Sequence, residues 1–133
     1  MCDAAQNIIF GIVSGILATL ITNVITQYFT ELRTIGKIQR HINEYTNKLE
    51  KYKNSKSQTV FEEAEVKPYI EMNNLLDAVY DDVNDQTASL IFLKRKSDEI
   101  MLEFANIYEK IHKEKKFNIP YCIKQLGDLR DRL

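Results

Sequence analysis

Hydrophobic positions follow two different rules on either side of residue 30. From Ile8 to Phe29 the chain reads IIFGIVSGILATLITNVITQYF, and no charged residue occurs between Asp3 and Glu31. Beyond that run, apolar residues return at intervals of three and four, with charged residues between them. The first pattern suits a membrane-spanning helix, which needs about 20 mostly apolar residues. The second suits amphipathic helices packed on one another. The expected fold is all-α. Residues 1–7 are a short external tail, 8–29 a single N-terminal transmembrane helix and 30–133 a small cytoplasmic helical bundle. The bundle helices are expected at about 30–53, 68–84, 89–116 and 119–127.

Twelve of the residues from Ile8 to Phe29 are Ile, Leu, Val or Phe. At roughly −0.3 to −0.6 kcal/mol each, they favour insertion by about 4–7 kcal/mol before polar residues are counted. Ser14, Thr19, Thr22 and Thr26 subtract little, because a hydroxyl can bond back to a carbonyl one turn earlier. Asn23 costs more. A cleaved signal peptide would carry basic residues before its apolar core, and none precedes Ile8. The competing reading of this stretch is a central helix buried in a soluble oligomer.

The following helix continues the first. Ile35, Ile38, Ile42, Tyr45, Leu49 and Tyr52 step by three and four, a heptad seam. Gly36 interrupts it as a candidate hinge, and Asn54–Ser57 reads as a loop. Pro68 suits a first helical turn, with Tyr69, Met72, Leu76, Val79 and Val83 on one face. After a break at Asn84–Thr87, the seam resumes with Leu90, Leu93, Ile100, Phe104, Ile107 and Ile111. Asn118 and Pro120 open a final helix with Ile123 and Leu126 inward, and Gly127 is placed to end it.

Charge adds orientation and pairing. Seven basic residues lie between Arg33 and Lys56, none before Ile8. By the positive-inside rule the N-terminus lies outside and the bundle in the cytoplasm. Residues 31–56 carry a net charge of +4, and residues 57–85 carry −7. An antiparallel pair of these segments would neutralise itself. The two cysteines, Cys2 and Cys122, make no disulfide framework. Cys122 is expected as a small reduced core residue, and Cys2 is a candidate for an intermolecular disulfide or a lipid.

Candidate site residues fall in two groups. Gly11, Gly15, Ala18 and Thr22 share one stripe of the apolar helix, where missing side chains let two backbones approach. Asn23 lies beside the stripe, with Gln27 four residues on. Both could bond across an oligomer interface or line a wet path. The second group, Lys94, Arg95 and Lys96, is a candidate contact for an anionic ligand or lipid. Glu109-x-x-His112 has the spacing of half a di-iron site, but the only other histidine, His41, is followed by Glu44 in the reverse order. No metal or other cofactor is expected. No GxSxG, P-loop or HExxH occurs, so no enzyme is expected. The near-neutral domain gives no reason to expect nucleic acid.

In layout the chain resembles the small single-span membrane effectors of bacterial antiviral systems. The shared outline is a charge-light N-terminus, a Gly/Ser/Thr-rich span and a compact cytoplasmic domain. The resemblance implies an inner-membrane protein that assembles with itself and disrupts or perforates the bilayer when its bundle receives a protein or small-ligand signal. The alternative is an inert anchor whose bundle is an adaptor recruiting a cytoplasmic complex.

Overall fold

A computed structural model of the chain describes residues 2–133, with side chains from Asp3 onward. The expectation for Cys2 concerns a side chain outside the described residues. The described residues form four helices and one short ribbon: α1 Cys2–Lys56, β1 Val60–Glu62, α2 Val66–Thr87, α3 Lys94–Glu114, β2 Lys116–Asn118 and α4 Ile119–Arg132.

α1 is one uninterrupted 55-residue helix, about 80 Å long at 1.5 Å per residue. Residues 3–7, expected as a separate tail, are already helical. Gly36 lies inside the helix with ordinary backbone angles, so it is no break. The helix nevertheless has two regimes. From Asp3 to Thr30 every side chain is exposed except Gln27, which is half-buried. From Glu31 onward one stripe is buried: Ile35, Ile38, Ile42, Tyr45 and Leu49.

That stripe packs within the chain. Tyr52 reaches Glu71, so α2 runs antiparallel to α1. Tyr80 stacks edge-on to Phe104 and Tyr108 hydrogen-bonds Asp77, so α3 returns antiparallel to α2. Lys96 meets Leu133 and Arg132 meets Glu103, so α4 is antiparallel to α3. The result is an up-down-up-down four-helix bundle, and α4 is the most extensive neighbour of α1. The expected electrostatic pair of α1 and α2 is thus a packed pair, but no ion pair joins them among the described residues. Apolar surface holds it. Ile42, Leu49, Met72, Leu76, Ile100, Phe104, Ile107, Cys122 and Leu126 are all fully buried.

Several boundaries differ from the sequence expectation: α1 runs through most of the expected loop to Lys56, and α2 spans Val66–Thr87, taking in the expected break at Asn84–Thr87 because Thr87 continues its buried face. α3 begins at Lys94 rather than 89, because residues 88–93 form a turn anchored from outside the helix. It ends at Glu114, where Lys115 takes a left-handed conformation at φ 53°. α4 passes through Gly127 to Arg132, because Leu129 continues its buried face. Its start is as expected: the Asn118 side chain accepts from the Tyr121 N–H at 3.2 Å, with Pro120 in the first turn.

The ribbon was not expected. β1 and β2 pair antiparallel with Phe61 opposite Phe117, and both rings are buried. It closes the end of the bundle farthest from the apolar part of α1. Ser57 and Lys115, the two non-glycine residues with positive φ among those described, end α1 and α3 beside it.

Replacing Phe104 by Ala is expected to cost about 3–5 kcal/mol of bundle stability, read from the denaturant midpoint in detergent micelles. Lys115→Gly relieves a left-handed side-chain conformation. It is expected to raise stability by about 0.5–1 kcal/mol in the same measurement.

Candidate functional site

The residues singled out by sequence lie in two places along α1. The first is the exposed apolar half. Gly11, Gly15, Ala18 and Thr22 form one open stripe, and nothing in the chain approaches within 4 Å of a side chain added at Gly11 or Gly15. The threonines bond backward as their chemistry predicts. The Thr19 hydroxyl donates to the Gly15 carbonyl at 2.9 Å, and Thr22 donates to Ala18 at 2.8 Å. With that proton used, the Thr22 oxygen remains an acceptor. Asn23, exposed beside it, carries amide donors.

Rotation of about 100° per residue places this stripe on the side of α1 opposite the bundle-facing stripe of Glu31, Ile35, Ile38 and Ile42. The seam from Ile35 to Tyr52 is occupied inside the protomer. Farther along the small-residue face lie Arg33 and Arg40, both exposed.

The second place is where the two regimes of α1 meet. Glu31 occupies the inward position one turn before Ile35 and is only 1% exposed. Its Oε1 accepts three backbone N–H groups: Ile91 at 2.6 Å, Phe92 at 2.8 Å and Leu93 at 3.1 Å. Its Oε2 accepts from Gln27 Nε2 at 3.1 Å. Gln27, expected to bond across an interface or line a wet path, gives one amide hydrogen to Glu31.

Leu93 precedes α3 and supplies no side-chain cap. The carboxylate of a residue about 60 positions earlier instead satisfies the N–H groups of the turn that leads into the helix, near its positive pole. Burial pushes the Glu31 carboxyl up, but the N–H groups of Leu93, Ile91 and Phe92 and the Gln27 amide together hold it below its ordinary 4.5.

The basic cluster follows directly. Lys94 and Arg95 are exposed and form no ion pair among the described residues. Lys96 is half-buried, and its Nζ donates to the Leu133 carbonyl at 2.7 Å. The expected three-residue contact thus reduces to two free cations. All three stand in the first turn of α3, where the helix dipole disfavours positive charge. Just before them, Ile91 is 68% and Phe92 50% exposed. Sequence reading passed over Glu31, Ile91 and Phe92. The available signal was that stepping the seam back by four from Ile35 lands on an acid, and a carboxylate at an inward position needs a partner.

Elsewhere the molecule offers little for chemistry. A cavity of about 110 Å³ between α1 and α2 is lined by His41, Tyr45, Lys48 and Asp82 among others. Small-molecule sites usually span 300–1,000 Å³. Burial pushes the Cys122 thiol up to about 12, which leaves it protonated and unreactive at neutral pH. Burial likewise raises the neighbouring Tyr45 phenol well above its ordinary value. No three His, Cys, Asp or Glu side chains converge as metal ligands among the described residues.

Comparison with protein-family models, with curated proteins and with solved structures yields no match to this chain.

Glu31→Ala is expected to lower bundle stability by about 1–2 kcal/mol at neutral pH. A carboxyl whose pKa is lowered by folding stabilises fully above its unfolded value, here 4.5. That contribution is lost as pH falls through the lowered folded value. The gap between parent and Glu31→Ala should therefore narrow on acidification below 4.5, measured as unfolding midpoints across a pH series.

Proposed function

We propose that the protein is a single-pass membrane protein with its N-terminus outside and its four-helix bundle in the cytoplasm. It self-associates through the small-residue face of its span, and its bundle governs that assembly as part of a membrane-perturbing effector. The observation that carries this reading is the apolar half of α1. It is long and apolar enough to cross a membrane, and none of its most apolar window is buried within the chain. A helix apolar on all sides needs lipid or other copies of itself to cover it.

Three features support coupling between bundle and span rather than inert anchorage. α1 passes from one to the other without a break, so a shift of the bundle moves the span as a rod. Glu31 fastens the start of α3 to the last turn of the apolar stretch. The small-residue face points away from the bundle, so two copies could pair through it without their bundles colliding. In hydrocarbon, such pairing depends on close backbone packing and interhelical polar bonds. A Thr22 oxygen accepting from a partner's Asn23 amide would supply one. Like charges at Arg33 and Arg40 confine the contact to the membrane.

The trigger fits a protein surface better than an enclosed small ligand: the hollow between α1 and α2 is about 110 Å³, and the larger ones, of about 590 and 680 Å³, are open to the surface. One patch for such a partner is the first half of α2, where Val66 and Ile70 are exposed apolar residues. The adaptor reading keeps the same anchor and the same patch but gives the span no part in function.

Reporter fusions at the two ends test the topology, and a cytoplasmic N-terminus would refute it. Gly15→Leu is expected to abolish cysteine-independent crosslinking of copies in native membranes and to remove membrane leakage on expression. Leu17→Phe, on the other side of the helix, should leave both unchanged. If Gly11→Leu/Gly15→Leu assembled and leaked like the parent, the adaptor reading would take its place.

A further inference from the structure

The geometry points to a second membrane contact: the turn Ala88–Leu93 inserts Ile91 and Phe92 into the bilayer interface, while Lys94 and Arg95 engage the headgroups of anionic lipid. This inference rests on the proposed span, because the span sets the height of the membrane.

The position of the turn is fixed by Glu31. Three consecutive N–H groups, of Ile91, Phe92 and Leu93, converge on one carboxylate oxygen. That carboxylate also meets Gln27, one helical turn nearer the apolar stretch. Side chains on a helix lean toward its N-terminus, which here is the membrane side. The turn is therefore held level with Gln27–Glu31. The apolar run Ile8–Phe29 is about 33 Å long as a helix, against a hydrocarbon core of about 30 Å. Its last turn thus falls at the boundary between acyl chains and headgroups. Tyr28 and Phe29, exposed and in edge contact at 6.2 Å, lie at the same level, where aromatic rings favour the interface.

At that height two large apolar side chains are exposed, followed in the chain by two cations with no ion pair among the described residues. Within the chain this arrangement is unfavourable twice over. Ile91 and Phe92 are exposed to water, and Lys94 and Arg95 oppose the dipole of α3. An anionic membrane surface removes both penalties, covering the apolar pair and neutralising the cations. Lys96, held by Leu133, takes no part.

The chain contains no tryptophan, so one introduced residue reports without background. Phe92→Trp, in the full chain reconstituted into phosphatidylcholine vesicles containing about one-third phosphatidylglycerol, should emit at shorter wavelength than free tryptophan and be quenched by brominated acyl chains. Val24→Trp tests the span, and Tyr69→Trp reports on the far end of the bundle, where no quenching is expected. Adding Lys94→Glu/Arg95→Glu to Phe92→Trp should reduce its quenching about fivefold or more. Pure phosphatidylcholine should have a similar effect. Ile91→Trp is an equivalent second reporter should Phe92→Trp misfold by circular dichroism. Quenched Val24→Trp with unquenched Phe92→Trp overturns the turn contact and leaves the span standing. If neither is quenched, the span fails and the turn contact with it. Blue-shifted but unquenched emission from Phe92→Trp would put protein on the turn and overturn the lipid assignment. Equal quenching in both lipids and in the charge-reversed variant would overturn the role of anionic headgroups.

Discussion

A single buried carboxylate joins the two parts of this molecule. Glu31 stands at the point where α1 stops being apolar on every side and becomes amphipathic. From there it reaches across to the start of α3. The bond set is asymmetric in its cost. An isolated carboxylate at 1% exposure would be strongly unfavourable, whereas one accepting three backbone N–H groups and an amide is charge-assisted at each bond. The junction therefore tolerates little change at Glu31 itself, although Ile91 and Phe92 take part only through their backbones. Their side chains are left free to be selected for something else.

The rest of α1 follows from having two surroundings for one helix: its first half is exposed apart from Gln27, and its second half packs in the bundle. In the apolar half no internal partner selects a face, so the remaining asymmetry is between small and large side chains. In the bundle half the asymmetry is between buried Ile, Leu and Tyr and exposed Lys and Arg. The two asymmetries point in opposite directions around the circumference. The small-residue face and the packed seam thus occupy different sides of one helix, which presents both without a hinge.

Much of this was legible in the sequence because it is periodic. The seam of α1, the inward faces of α2 and α3 and the burial of Ile42, Leu49, Leu76, Phe104 and Ile107 all repeat every three or four residues. The start of α4 was legible from Asn118 and Pro120, a local signal. What escaped reading was nonlocal or too short to repeat. The three-residue strands around Phe61 and Phe117 show no alternation to count. The start of α3 was placed too early because Leu90 and Leu93 fit the helical period, while the group that sets the boundary lies about 60 residues away in Glu31. Gly127 looked like a stop signal, but Leu129 continues the buried face and outweighs the roughly 1 kcal/mol that glycine costs inside a helix. The basic triplet read as one cluster, but folding ties Lys96 to Leu133.

The order of the bundle along the chain has a consequence for biosynthesis. The main neighbour of α1 is α4, and the bond from Gln39 to the Arg130 carbonyl spans 91 residues. The first helix to leave the ribosome therefore waits for the last before its seam is fully covered. Local pairs such as α2 with α3 can form early, but closing a loop of this length is slow compared with helix formation. During that interval Ile35, Ile38 and Ile42 lack the α4 side of their final cover, just beyond the exposed apolar half of α1. The nascent chain is then most exposed to mispairing along this seam, and completion of α4 ends that exposure.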